Sequence, residues 1–124
     1  MAVEGFSVEV DNDPDRGGAV AGSEQRRPVT VAIAGDVDLA AADTLWSVLD
    51  EYVRPGDAVA VDCSRVAFLD SMGLRTLIRA QHKAGQVGAR LTLASPSEAV
   101  LRVLQLAGVS DLFVLDLSGN GSGH

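Results

Sequence analysis

A single cysteine, Cys63, has nothing to pair with, so no internal disulfide holds this chain together. That usage fits a reducing compartment. Aromatic residues are equally scarce, 4% against 47% hydrophobic overall, which implies a core built from Val, Leu, Ile and Ala. Positive charge is the minority sign. Ten Lys and Arg face seventeen Asp and Glu, and a net charge of −7 argues against nucleic acid or an anionic membrane as partner. No stretch approaches the ~20 apolar residues of a membrane helix. Met1 to Phe6 has neither the basic start nor the apolar run of a signal peptide. One cysteine and two histidines at scattered positions provide no metal-ligand spacing, and no Walker loop is present to bind ATP. No cofactor is expected, and enzyme activity has little support. What remains is a cytoplasmic domain of 124 residues, enough for one core but not two.

Along the chain, Phe6, Val8 and Val10 alternate with Ser7 and Glu9, which predicts a strand with one buried face. Asp11 to Arg27 breaks the pattern with Gly, Pro and charge, and reads as a long mobile loop. Its aspartates do not make a calcium loop, because Arg16 stands where that motif needs glycine. Pro28 opens a second strand with Val29, Val31 and Ile33 on one face. Asp38 can cap a helix whose stripe is Leu45, Val48, Leu49 and Tyr52, and Pro55-Gly56-Asp57 turns the chain into a strand over Ala58 to Asp62. A helix from Ser71 to about Lys83 follows, with Gly85 as its stop, then a strand over Arg90 to Ala94. Ser95-Pro96-Ser97-Glu98 reads as a capping box with Ser95 as cap. Its helix ends at Gly108, a last strand spans Leu112 to Leu115, and Ser118 to His124 is a Gly/Ser tail.

The alternation of strands and helices predicts an α/β fold on a mostly parallel sheet. The second faces of its strands carry Thr30, Ala32, Ala58, Ala60, Asp62, Arg90 and Thr92, all small or polar. A sheet covered on both sides would show continuous apolar strands, so helices should cover mainly one face.

The most informative stretch is Val59 to Leu77. It begins as an alternating strand, passes through a connection ending at Asp70, and becomes helical at Ser71, with Leu74, Leu77 and Ile78 on one face. Ser71 thus sits at a helix N-terminus, where N–H groups lack intrahelical partners and the dipole favours negative charge. A serine there is most often a cap, but Asp70 can do that duty and leave Ser71 facing outward. Gly73 leaves room for another surface to approach.

Val61-Asp62-Cys63-Ser64 through Phe68-Leu69-Asp70-Ser71-Met72-Gly73-Leu74 resembles the signature of STAS domains, most of all the anti-sigma factor antagonists. Gly35-Asp36-Val37-Asp38-Leu39 resembles the same family's element ahead of the first helix, and the likeness spans Phe6 to Leu115. The resemblance implies a STAS-like mixed sheet of about five strands, the first two antiparallel, in one domain over residues 1–117. It implies a monomer or weak homodimer that binds an anti-sigma factor, itself a serine kinase, and so frees a sigma factor. The kinase would phosphorylate Ser71 and a serine phosphatase would reset it. Asp36, Asp38, Asp70, Met72 and Gly73 would frame the contact surface. Capping is the competing duty for Asp38 and Asp70, whereas Asp36 has none.

Two features depart from the family. No residues are patterned for the helix that usually follows the last strand, and Met72 stands where Ser or Thr is common, leaving Ser71 the only hydroxyl in the motif. A serine hydrolase does not fit, because Leu69 replaces the first glycine of a nucleophile elbow. A phosphoacceptor receiver does not fit either, because the only lysine, Lys83, lies near a helix end. The alternative of another class is a STAS scaffold that is never phosphorylated, a subunit of a transporter or a larger signalling assembly.

Overall fold

The computed structural model describes residues 2–12 and 27–117. The elements in order are β1 (Ala2–Val3), β2 (Phe6–Asp11), β3 (Arg27–Val37), α1 (Leu39–Tyr52), β4 (Asp57–Leu69), α2 (Ser71–Val87), β5 (Arg90–Ala94), α3 (Glu98–Ala107) and β6 (Val114–Asp116). The six strands lie side by side in chain order. The β1–β2 and β2–β3 pairs are antiparallel, and every pair from β3 to β6 is parallel. This is the expected mixed α/β sheet, with the two-residue β1 added at its edge. Two residues cannot display a period, so β1 left no sequence signal.

Strand order dictates where the helices go. Each of the three crossovers moves one strand further in the same direction across the sheet. Crossovers of one hand moving one way deposit their helices on one face. Val29, Val31 and Ile33 of β3, Val59 and Val61 of β4, and Leu91 and Leu93 of β5 are buried beneath them. Leu45 and Leu49 of α1, Leu77 and Ala80 of α2, and Val100 and Leu104 of α3 close that core from the other side. The alternate strand residues Thr30, Ala32, Ala60, Asp62 and Thr92 stay partly exposed, as their size and polarity predicted.

The expected strand over Ala58 to Asp62 is in fact the first half of a thirteen-residue strand. The stretch read as a connection continues along β3, pairing Arg65 with Ala34, Val66 with Gly35, Phe68 with Asp36 and Leu69 with Val37. Register shifts fall between Ala32 and Ala34 and between Gly35 and Asp36. Each gives β4 one residue more than its partner, so the buried residues Cys63, Val66 and Leu69 recur every third position instead of every second. Asp62 supports the first shift by accepting the Ser64 N–H at 2.9 Å. A strand with two bulges has no period of two, and pattern reading misses it.

Three further boundaries move. Helix α2 runs through Gly85 to Val87 and stops at Gly88, whose φ of +80° suits glycine alone. Helix α3 is capped by Ser97, not Ser95: the Ser97 Oγ accepts from Val100 N at 3.2 Å and donates to the Val66 carbonyl at 2.8 Å. Ser95 instead takes a φ of +50° before Pro96 and is held by the Asp116 carbonyl. The last strand starts at Val114, because Ser110–Leu112 winds into a short 3-10 turn. Of the expected mobile loop, Asp11 and Arg27 belong to strands β2 and β3, and residues 13–26 lie outside the described residues, as does the tail 118–124. No helix among the described residues is long and apolar enough to cross a membrane.

Candidate functional site

The paired ends of β3 and β4 bring the two sequence motifs together. Val37 and Leu69 are register partners, and Asp70 N–H donates to the Val37 carbonyl at 3.2 Å. Both strands stop there and both continue into helices, so the N-termini of α1 and α2 emerge side by side. Asp70 serves both. Its Oδ1 accepts from Met72 N and Gly73 N at 2.9 Å each, capping α2, while its Oδ2 accepts from Leu39 N at 3.2 Å at the start of α1. Asp38 caps α1 in the ordinary way through Ala41 N at 3.2 Å. Both aspartates thus carry the capping duty.

Ser71 is the first residue of α2, exposed, and its hydroxyl makes no hydrogen bond among the described residues. With Asp70 as cap, the Ser71 Oγ can meet an incoming group beside two positive helix ends. His82, the nearest histidine in sequence, lies eleven residues along the same helix, about 16 Å at 1.5 Å per residue, out of reach as a base for Ser71.

Asp36 is exposed, and its backbone N–H is held by the Gly5 carbonyl at 2.8 Å. Its neighbour Gly35 has φ +92°, and a Cβ there would stand 2.1 Å from that same carbonyl oxygen. The glycine of the first motif is therefore required by the fold. Gly73 is also accounted for differently from its expected role. It is buried, and a Cβ would meet the Val37 carbonyl oxygen at 2.2 Å and Leu69 Cδ1 at 2.9 Å. Its missing side chain lets the first turn of α2 seat against the end of β3, and leaves no space for an outside surface. Met72 beside it is half-buried.

The sequence reading missed two apolar members of this surface. Leu39 is 67% exposed and Phe68 51% exposed, and both flank Asp70, the first through its hydrogen bond and the second through the strand end. Leu39 reads in sequence as an ordinary helix residue, and Phe68 as part of a connection. Their signal was that each is a large apolar residue off its element's buried stripe.

Cys63 is buried in the core, and that burial, with the Asp62 carboxylate beside it, pushes the thiol up to about 12. It stays protonated and inert at neutral pH. Among the described residues no three His, Cys, Asp or Glu side chains gather as metal ligands.

The family model described as "Mlab, STAS domain" matches residues 20–117. An anti-sigma-B factor antagonist of Listeria monocytogenes is 26% identical over 98 residues, covering 77% of this chain and 86% of that protein. An anti-sigma factor antagonist from Mycobacterium paratuberculosis superposes with a TM-score of 0.72 at 23% identity, covering 93% of this chain and 88% of that one. The Bacillus cell fate determinant SpoIIAA in its phosphorylated form gives a TM-score of 0.58 at 18% identity, covering 80% of this chain and 91% of that one.

Proposed function

Because the chain belongs to the STAS domain family, we propose that it acts as an anti-sigma factor antagonist switched by phosphorylation of Ser71. The observation that carries this reading is the exposed Ser71 hydroxyl, relieved of capping by Asp70, at the meeting point of two helix N-termini. The relative's name and the phosphorylated fold neighbour support it.

In this reading the unmodified surface presents a small hydroxyl next to Met72 at the paired helix starts, together with the exposed Leu39 and Phe68 and the exposed Asp36 that pairs with Phe68 in register. Those apolar side chains supply area for the anti-sigma factor to cover, and Asp36 supplies a charge for orientation. Asp38 and Asp70 shape the contact by holding the helix ends. The anti-sigma factor, as a serine kinase, brings ATP and magnesium. Ser71 Oγ attacks the γ-phosphorus, the ADP oxygen leaves, and the hydroxyl proton passes to a base of the kinase. The resulting phosphoserine disrupts the contact, and a serine phosphatase restores the hydroxyl.

The test is phosphorylation by anti-sigma kinases from the same genome, with mass spectrometry of wild type and Ser71→Ala. Wild type is expected to gain one phosphate on Ser71 and the variant none. Labelling that persists in Ser71→Ala, or wild type that no such kinase binds or labels, favours the unphosphorylated scaffold instead.

A further inference from the structure

Helix α2 carries Arg75, Arg79 and Lys83 and no acidic residue, in a chain whose net charge is −7. Lys83 is engaged with α1, its Nζ 2.6 Å from Asp50 Oδ1. Arg75, Arg79 and His82, spaced by four and then three residues, share another face of the helix, and all three are exposed. That face borders a groove of about 630 Å³ between α1 and α2. Half-buried Trp46, Met72 and Ile78 line it, and Asp43 is its one acidic residue. The Arg79 guanidinium stands 3.9 Å from the centroid of the Trp46 ring, a cation–π contact that holds both side chains in place. The result is an apolar floor under a cationic rim, on a protein that is acidic as a whole.

We propose that this groove docks an acidic amphipathic segment of a protein partner. Its carboxylates would meet Arg75, Arg79 and His82, and an apolar side chain would lie against Trp46, Met72 and Ile78. Charge complementarity selects the occupant. A short segment carrying a pair of carboxylates matches the two guanidinium groups of Arg75 and Arg79, whereas a nucleic acid would extend past them into the field of a net-negative protein. Position suggests which partner it is. Met72 and Arg75 follow Ser71 by one and four residues, so a protein covering Ser71 would reach the groove. In that identity alone the proposal rests on the antagonist reading.

Trp46 is the only tryptophan and reports the groove directly. The experiment is an NMR and fluorescence titration of the unphosphorylated full chain with an octapeptide of glutamates around a central Leu-Phe pair. Saturable shifts are expected at Trp46, Arg75, Ile78 and Arg79. Raising salt from about 50 to about 500 mM should weaken binding. The Arg75→Glu/Arg79→Glu double variant should lose affinity on the order of tenfold, and should prefer the lysine version of the peptide. Both arginines are exposed, and a thermal melt checks that the variant folds. A peptide that leaves the Trp46 signals unmoved, or that binds wild type and variant equally, overturns the proposal. So does a DNA oligonucleotide that shifts the same resonances more strongly. No kinase enters this experiment, so its failure leaves the phosphorylation test intact, and the reverse holds too.

Discussion

Asp70 caps α2 through Met72 N and Gly73 N, which leaves the neighbouring Ser71 hydroxyl available, and its second oxygen also holds Leu39 N at the start of α1, whose own cap is Asp38. Gly73 offers a sharp test of how the site is built. Its Cβ would press on the Val37 carbonyl, so Gly73→Ala should cost about 1–3 kcal/mol of stability, read as a lower urea midpoint at unchanged slope. A variant with full stability and weakened partner binding would instead mean that the glycine clears space for the partner. Cys63 makes a prediction in pH. Its thiol lies near 12 in the folded chain against 9.0 ordinarily. The raised value favours the folded state fully below pH 9, where the thiol is neutral in both states. Above that the unfolded chain ionises first, so stability falls by about 1.4 kcal/mol per pH unit until the folded thiol also titrates. Urea midpoints of wild type and Cys63→Ala between pH 8 and about 11 should diverge in this sense.

At the scale of the element, α2 shows which of two neighbouring glycines is structural. Gly88 ends the helix at φ +80° and its N–H bonds the Ala84 carbonyl, while Ala89 N–H closes on the same oxygen at 2.9 Å. Gly85 lies inside the helix, exposed, with open space where a Cβ would go. Gly85→Ala should therefore stabilise the protein by about 0.5–1 kcal/mol, and Gly88→Ala should destabilise it by a similar amount or more. Opposite shifts of the melting temperature check the pair. The β3–β4 extension is the other decisive element. Its two bulges let a parallel pair run on past the crossover geometry and end in register at Val37 and Leu69, which sets both helix starts side by side.

For the whole molecule, phosphorylation should switch binding without unfolding. A phosphate adds about −1.5 to −2 charges. At the head of α2 it gains about 0.3–1 kcal/mol from the dipole, offset in part by the carboxylates of Asp70 and Asp36. The melting temperature should move by little. The interface responds differently, since a buried dianion facing a surface shaped for a hydroxyl loses several kcal/mol and weakens binding by ~10²-fold or more. Melts and binding titrations of phosphorylated and unmodified protein separate the two. A large fall in melting temperature with binding retained would show that the switch works through the fold.

The sequence by itself determined the layers of this protein and the helix caps of its candidate site. Period-two runs over Phe6 to Val10 and Val29 to Ile33 fixed the strands and their buried faces, because burial on one side imposes alternation. Small and polar residues on the opposite faces fixed the one-sided helix cover. Asp38 and Asp70 were legible as caps, since short carboxylates at helix starts have few other uses. Only the tertiary structure decided what lies between those elements. The second half of β4 carries a three-residue burial pattern that no single-strand template matches, and it exists because β3 lies beside it. The shared cap of Asp70 on Leu39, the clash that makes Gly73 necessary, and the groove joining Trp46 to Arg79 each connect residues about 30 or more apart in the chain. Local pattern carries no record of such distant partners, because they meet only when the strands are paired and the helices packed.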